Sequence, residues 1–482
     1  MDSQAPLMKI PLEILLLITS YLPTTALGSL RRTCKHIEMS LFKTFSKEFF
    51  TKKQFMLSEE SLQALIDISN HPRLSHCLNH VIIGLDNYDN GRTAISEPEG
   101  ASAYRAGLAN QFTLLSTGQH RDMLTQAFQN LPNLQTVGLR DFNSRTRFRD
   151  DCEWTSYGAT TIFRETGIRL VGNRMLATEE HIRFASQAFC TILYALGQSG
   201  AAPQAFEVLL RQRRSGLHDY AFNVPKYFEH SVEPVLSNLR TLLLALNLSI
   251  EPIFSPVRSD DSITDNERPD YLLKQFLCHT PNLNHLRLNF QSAHPSHAEQ
   301  FIAWLSRPVA QADSLDTSPG SPLPGVVNPI ALSQLRRLDL GIVRLSPWTL
   351  LAAIHKFKST LRALGLWKIT FNPEDQQRLY ERKANVWAEF FAQLSNLDYV
   401  AIGYLAQMLL NQIYVIKFKS TANQSGEMSS VKEFSGYDMR QFPDNVVSDI
   451  VVVWPQIISD HEDESMSEVH DDESGTDDDI EA

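Results

Sequence analysis

The residues of this sequence best suited to chemistry are a few histidines, one cysteine and two runs of arginine. His294 and His297 stand close together, with Cys278 and His279 upstream. A zinc centre usually draws on two tightly spaced ligand pairs, and a second clean pair is missing here. Solvent-exposed loop histidines are therefore expected, and no metal. The basic runs are Arg145-x-Arg147-Phe148-Arg149 and Arg211-x-Arg213-Arg214. Nucleic-acid binding would want such runs on a net-basic domain, whereas Asp150 and Asp151 follow the first run at once. Solvated loops are expected and no nucleic acid; the sharper use for these arginines is to read a phosphorylated or acidic partner. There is no glycine-rich phosphate loop, no Gly-x-Ser-x-Gly elbow and no His-Glu-x-x-His helix. No catalytic residue and no cofactor are expected, although sequence cannot say which carboxylates converge.

Composition narrows the classes further. The chain has 482 residues and a formal net charge of −11. Residues 459–482 hold twelve Asp or Glu and no Lys or Arg, so the remainder is close to +1. The body is then neither a polyanion nor a polycation. Its length allows about three domains or one elongated repeat array. Cys34, Cys77, Cys152, Cys190 and Cys278 are scattered without a Cys-x-x-Cys pair, which fits reduced thiols in the cytoplasm or nucleus. The most apolar run, near the start, is about half the roughly twenty residues of a membrane span. Asp2 and Glu13 also sit badly in a secretory leader, and no membrane partner is expected.

Most of the chain is organised by one recurring phrase. It reads Leu131-x-x-Leu134-x-x-Val137-x-Leu139, Leu236-x-x-Leu239-x-x-Leu242-x-Leu244 and Leu332-x-x-Leu335-x-x-Leu338-x-Leu340. Other copies centre on Val81, Leu286, Leu364 and Val400, with a weaker one at Ala202-x-x-Ala205-x-x-Val208-x-Leu210. The phrase predicts short strands with apolar residues on one face. Helical patterns fall between them near 106–130, 179–197, 271–279, 297–306, 347–358 and 374–394. Ser58 is placed to cap a further helix, with Glu59 and Glu60 in its first turn. Segments near 86–103, 252–269, 308–329 and 420–430 read as loops, and Val446–Trp454 as a final strand. The acidic stretch from Ser459 onward is too charged to fold alone.

The phrase resembles a leucine-rich repeat, in which each strand is followed by a helix packed behind it. Copies here lie 26 to 71 residues apart, against about 20–29 in a regular array. The expected fold class is α/β: an irregular, degenerate leucine-rich-repeat-like solenoid over residues 57–458, with an ordinary α/β domain of similar strands as the alternative.

Ahead of the repeats stands Ile10-Pro11-Leu12-Glu13-Ile14-Leu15-Leu16-Leu17-Ile18-Thr19-Ser20-Tyr21-Leu22-Pro23. Pro11 suits a first helical turn and Glu13 complements the helix dipole there. Pro23 ends the helix, and Thr24 or Thr25 is placed to cap a second one. A third follows through Cys34, Ile37, Leu41, Phe42, Phe45 and Phe49. These helices carry more apolar surface than so small a unit can bury. Phenylalanines 42, 45, 49, 50 and 55 alternate with lysines 43, 47, 52 and 53, a pattern expected to lock this unit to the repeats with the lysines in water.

This opening is similar to the F-box, carried by Ile10, Pro11, Glu13, Ile14, Leu15, Ile18, Tyr21, Leu22 and Pro23, then Leu27, Leu30, Cys34-Lys35 and Leu41. Its continuation from Thr33 to Phe55 resembles F-box proteins abundant in filamentous fungi. Ile37 stands where many F-boxes carry tryptophan. The resemblance implies a three-helix F-box over residues 8–56 that docks a Skp-type adaptor and, through it, a cullin. Its adaptor-binding residues would be Ile10, Pro11, Leu12, Ile14, Leu15, Ile18, Leu22, Pro23, Leu30, Ile37 and Leu41. The chain would then be the non-catalytic substrate-recognition subunit of a ubiquitin ligase, holding an unidentified target protein on its repeats. The alternative is a repeat scaffold acting outside any ligase. The acidic tail, 459–482, either aids solubility or lies against basic patches such as Arg211–Arg214.

Overall fold

The computed structural model describes residues 7, 10–88, 98–143, 149–150, 155–170, 178–212, 215–249, 269–309, 327–419 and 428–454. Three helices open it, α1 (Leu12–Ser20), α2 (Thr24–Arg31) and α3 (Lys35–Phe50). Strand and helix then alternate through β1 (Lys52–Met56), α4 (Glu59–Asn70), β2 (His80–Gly84), α5 (Pro98–Thr117), α6 (Gln119–Gln129) and β3 (Thr136–Arg140). There follow α7 (Ala159–Thr166), α8 (Glu179–Ser199), β4 (Ala205–Leu209), β5 (Leu217–His218), α9 (Lys226–Asn238), β6 (Thr241–Leu248) and α10 (Tyr271–Cys278). Next come β7 (His285–Ala293), α11 (Pro295–Ser306), β8 (Arg337–Leu345), α12 (Pro347–Lys356), β9 (Ala363–Phe371), α13 (Gln376–Glu381) and α14 (Val386–Phe391). The last elements are β10 (Tyr399–Gly403), β11 (Ala406–Leu409), β12 (Gln412–Lys419), β13 (Met428–Ser429), β14 (Val431–Ser435), α15 (Phe442–Asp449) and β15 (Ile450–Val452).

All these strands join one large, mostly parallel sheet. Between β1 and β9 neighbouring strands pair parallel and in chain order, with β5 a short addition alongside β6. The recurring phrase becomes a single row across this sheet: Val81, Val137, Phe206, Leu242, Leu286, Leu338, Leu364 and Val400 occupy one register position. Each of them is buried, and together with the apolar faces of the helices they form one continuous core. Pointing apolar residues at a helical layer and polar ones away from it is the alternation that a half-covered strand requires. Past β9 the pattern changes, because β10 pairs with its N-terminal half and β11 with its C-terminal end. Antiparallel β12, β14 and β15 close that side.

The weak copy at 202–210 is set two residues out of register in the sequence reading. Phe206, and not Val208, stands in line with Val137 and Leu242, since an aromatic ring fills the place the aliphatic template reserves. Ser58 caps α4 as expected, its side chain accepting the Ser61 N–H. The helix expected near 106–130 is divided at Gly118, whose φ of +79° is a turn conformation that a side chain would strain. The one near 374–394 is likewise two short helices, α13 and α14. The strand expected over Val446–Trp454 is a correction: residues up to Asp449 are helical in α15, which has proline in its first turn, and only Ile450–Val452 pair with β12. The expected loops at 252–269 and 308–329 lie almost wholly outside the described residues, as does the tail from Ser459; of 86–103, the part from Pro98 onward is helical.

One cap in this layer carries a pH dependence. The Asp219 carboxylate accepts the Leu272 and Leu273 N–H groups, at 3.0 and 2.8 Å, at the start of α10. Burial, reinforced by the nearby Asp270 charge, outweighs these two bonds and pushes its pKa up to about 6. The unfolded chain releases this proton near pH 4, so between about 4 and 6 the folded state holds a proton that the unfolded state lacks. Stability from this group is therefore present below that window and falls as pH rises through it, by roughly 3 kcal/mol. Asp219→Asn should flatten that part of the slope when urea denaturation is followed from pH 4 to 7. A slope identical to wild type would refute the assignment.

Candidate docking site

Helix α1 is short and unusually apolar. Pro11 precedes it in an extended conformation and Glu13 lies in its first turn. Only Leu15 and Thr19 are buried along it. On the opposite side Ile14, Leu17, Ile18 and Tyr21 follow helical spacing and lie open, 48, 55, 42 and 81 % exposed. Leu12 at the N-terminal end and Met39 on α3 are exposed as well. Large aliphatic side chains gathered on one patch mark a surface that another molecule covers.

The expected contact residues therefore fall into distinct places. Pro11, Leu12, Ile14, Ile18 and Pro23 face solvent, while Ile10, Leu22 and Leu30 are half-buried. Leu15, Ile37 and Leu41 are inside, with Leu27 and Phe49, in a small core belonging to the three helices alone. Ile37, 1 % exposed, is one of the residues on which the helices pack. Leu17, Tyr21 and Met39 are open apolar residues absent from the expected contact set; for Leu17 the doubling Leu16-Leu17 is the signal, because a helix apolar all round has one face too many.

Several contacts fix this unit to the sheet. Helix α3 runs through Thr51 directly into β1, and Phe50 packs against both cores. The Arg73 guanidinium lies 3.4 Å over the Phe42 ring, and Glu38 lies between Arg73 and Arg31, 3.6 Å from each. Of the four lysines expected in water, Lys43 and Lys47 are exposed, whereas Lys52 and Lys53 are half-buried in β1, with Lys53 Nζ 5.3 and 5.4 Å from the Phe50 and Tyr157 rings.

A second tie comes from more than a hundred residues away. The Arg149 Nε and Nη2 donate to the two carboxylate oxygens of Glu48 on α3, at 2.7 and 3.1 Å. Its Nη1 donates to the carbonyls of Thr19, at 2.6 Å, and Leu22, where α1 ends. Next to it, Asp150 at φ +73° accepts the Thr24 N–H on both oxygens, at 2.9 and 3.1 Å. The cap expected from Thr24 or Thr25 is thus supplied by Asp150, and neither threonine side chain caps α2. One arginine and one aspartate satisfy the C-terminus of one helix and the N-terminus of the next, each charge matching its dipole end.

The other candidate residues disperse. Arg149 is engaged as described, and Arg145, Arg147, Arg213 and Arg214 lie outside the described residues. The Arg211 guanidinium stacks 3.8 Å over Phe142. The expectation of exposed loop histidines needs correction for His297, which is buried on α11 with Nδ1 3.3 Å from the Leu248 carbonyl; His294 is exposed beside Ser296. Among the described residues no three His, Cys, Asp or Glu side chains are placed to hold a metal, and no helix is long and apolar enough to cross a membrane.

The sheet face away from the helices carries a polar row. His285 and Arg337 both bond Asp339, at 2.6 and 3.0 Å. Burial pushes the Asp339 pKa up, but these two partners outweigh it and hold the group below its ordinary value. Glu207 lies 3.5 Å from Arg140 and 3.7 Å from His80. His80 is kept neutral, its pKa pushed down to about 2 by burial and by the charges of Lys52 and Arg140.

Compared with known families, residues 7–44 match the model described as F-box-like. Residues 7–44 are an F-box-like domain. A large α/β domain with a mostly parallel sheet follows it. No curated protein sequence matches the chain.

Proposed function

We propose that the chain is the substrate-recognition subunit of a Skp–cullin–F-box ubiquitin ligase. The observation that carries this is the unpartnered stripe Ile14, Leu17, Ile18 and Tyr21 within the F-box-like domain. With Pro11, Leu12 and Pro23 it supplies the adaptor contact, and Leu15, Ile37 and Leu41 act beneath it as the packing that shapes the helices. Such a subunit needs no catalytic residue, because holding a target beside a ligase bound elsewhere raises its effective concentration.

We divide the chain after Thr51, since Lys52–Met56 are hydrogen-bonded into the sheet. The sheet domain we read as an irregular leucine-rich-repeat-like solenoid, supported by seven copies of the leucine phrase in one register and a parallel order that follows the chain. Its polar face, from His285, Arg287 and Asn289 to Arg337, is the proposed target surface; these side chains are half-exposed.

Affinity purification of the full chain should recover a Skp-type adaptor and a cullin. Arg287→Glu should leave that recovery intact and deplete the proteins that accumulate when the ligase is inhibited. Absence of adaptor from the wild-type preparation would overturn the function, and unchanged targets in the variant would overturn the surface.

A further inference from the structure

At the edge of the sheet where its parallel strands begin, successive residues line up rung by rung. The Asn284 N–H donates to the Arg240 carbonyl, Arg336 to Asn284, Arg362 to Arg336 and Asp398 to Arg362, each at 2.7–2.8 Å. Neighbouring rungs are about 4.8 Å apart, so Arg336 and Arg362 emerge side by side at the starts of β8 and β9. With Asn284, Ser333, Gln334, Ser359 and Thr360 they line an open groove of about 580 Å³. The lining is two cations, three hydroxyls and two amides, all able to donate hydrogen bonds. No carboxylate lines it; Asp398, one rung on, is the acidic residue of that edge.

The arginines here differ from those elsewhere in how they are used. Arg149 is bound to Glu48 and two helix-end carbonyls, and Arg211 is stacked on Phe142. Arg240, beyond Asn284, reaches the Asn282 carbonyl and Gln334 Oε1, at 3.2 and 3.3 Å. The Arg362 Nη atoms reach the Leu361 and Ser359 carbonyls, at 2.8 and 3.3 Å. These are neutral partners, leaving the positive charge uncompensated. Arg336 has no hydrogen-bond or ion-pair partner for its guanidinium among the described residues. A groove of this chemistry selects a flexible strand of carboxylates or phosphoryl groups.

We propose that the acidic segment of this same chain, residues 459–482, docks in the Arg336–Arg362 groove. Charge complementarity is direct, as that segment has twelve carboxylates and no Lys or Arg. Reach is ample. The Trp454 ring lies 4.7 Å from Tyr414 on β12; β12 bonds β11, and β11 bonds the far end of β9. The groove is then one nine-residue strand away, about 30 Å, whereas the 28 residues from 455 to 482 extend to roughly 90–100 Å. A docked tail excludes other anionic ligands from the groove. Phosphate on Ser459, Ser465, Ser474 or Thr476, each with an acidic residue three positions on, strengthens that exclusion.

The test is cleavage of the full-length protein by a glutamate-specific endoprotease, which cuts after Glu462, Glu464, Glu468 and Glu473, read by intact mass. A free 459–482 peptide corrects for the protease's own response to salt. Wild type should lose its tail about fivefold more slowly at low salt than at high salt, as two exposed charge clusters in contact allow. Arg336→Glu with Arg362→Glu should be cut at the fast rate at every salt; circular dichroism and melting confirm its fold, with the double glutamine variant as substitute should it fail. Equal rates for wild type and folded variant at low salt overturn the proposal. So does a tail left unprotected while a labelled phosphoserine peptide binds the groove, which would give it to an outside partner.

Discussion

Placing aspartate at Ile14 and Ile18 together is expected to weaken adaptor binding at least about a thousandfold while the melting temperature of the chain stays within a degree or so. Both side chains are open in this structure, 48 and 42 % exposed, so the free protein loses little by the change. In the complex each loses the roughly 1.5–3 kcal/mol of a buried aliphatic side chain, less what association costs. Each also forces a carboxylate under the partner without a counter-charge, which costs several kcal/mol more. About 4 kcal/mol in total already gives three orders of magnitude. Titration calorimetry with purified adaptor measures the affinity, and adaptor bound by the variant within tenfold of wild type would remove α1 from the interface. Leu15→Ala is the instructive contrast. Leu15 is 3 % exposed within the small helical core, so its truncation should cost about 2–5 kcal/mol of local stability and lose binding through unfolding.

That contrast marks how far the sequence can be read. The apolar stripe, the capping Ser58 and seven of the eight strand positions are local in origin, and periodicity exposes them. Side-chain direction in α1 is less accessible. When Leu12, Ile14, Leu15, Leu16, Leu17 and Ile18 all stand within one nine-residue helix, composition cannot say which face is covered by α3 and which is left over. Phe206 was displaced by two residues because its ring, not an aliphatic chain, fills the common row. Contacts between distant residues are invisible to any pattern. Nothing in the string around Arg149 or Asp150 says that Glu48, Thr24 and two helix-end carbonyls lie within reach, and a basic run followed by acids reads as a solvated loop. The strand Lys52–Met56 was hidden for a related reason: it follows α3 after a single residue and lacks the leucine phrase.

Removing the Arg149 side chain should loosen the F-box from the sheet without melting the sheet. The guanidinium is 10 % exposed and makes a two-pronged pair with Glu48 as well as bonds to the Thr19 and Leu22 carbonyls. Hydrogen bonds to a charged group contribute about 1.5–3 kcal/mol, and carbonyls stripped of a partner add their desolvation cost. Arg149→Ala is therefore expected to destabilise α1 and α2 by about 3 kcal/mol, a change of some two orders of magnitude in local opening. Hydrogen exchange should report it as faster exchange confined to amides of residues 12–31, with those of β6 to β9 unchanged. Arg149→Lys keeps the charge but loses the planar fork that matches a carboxylate, so it should restore only part of the protection. Asp150→Ala tests the companion cap and should affect α2 more than α1, since Thr24 is its partner. The same loosening carries a functional consequence. A ligase subunit that holds its target at a set distance from the adaptor needs the joint to be stiff, so Arg149→Ala, assayed with adaptor in saturating excess, should slow ubiquitin transfer to bound target. Exchange over residues 12–31 identical in wild type and Arg149→Ala would show that the continuous α3–β1 connection and Phe50 hold the two parts unaided.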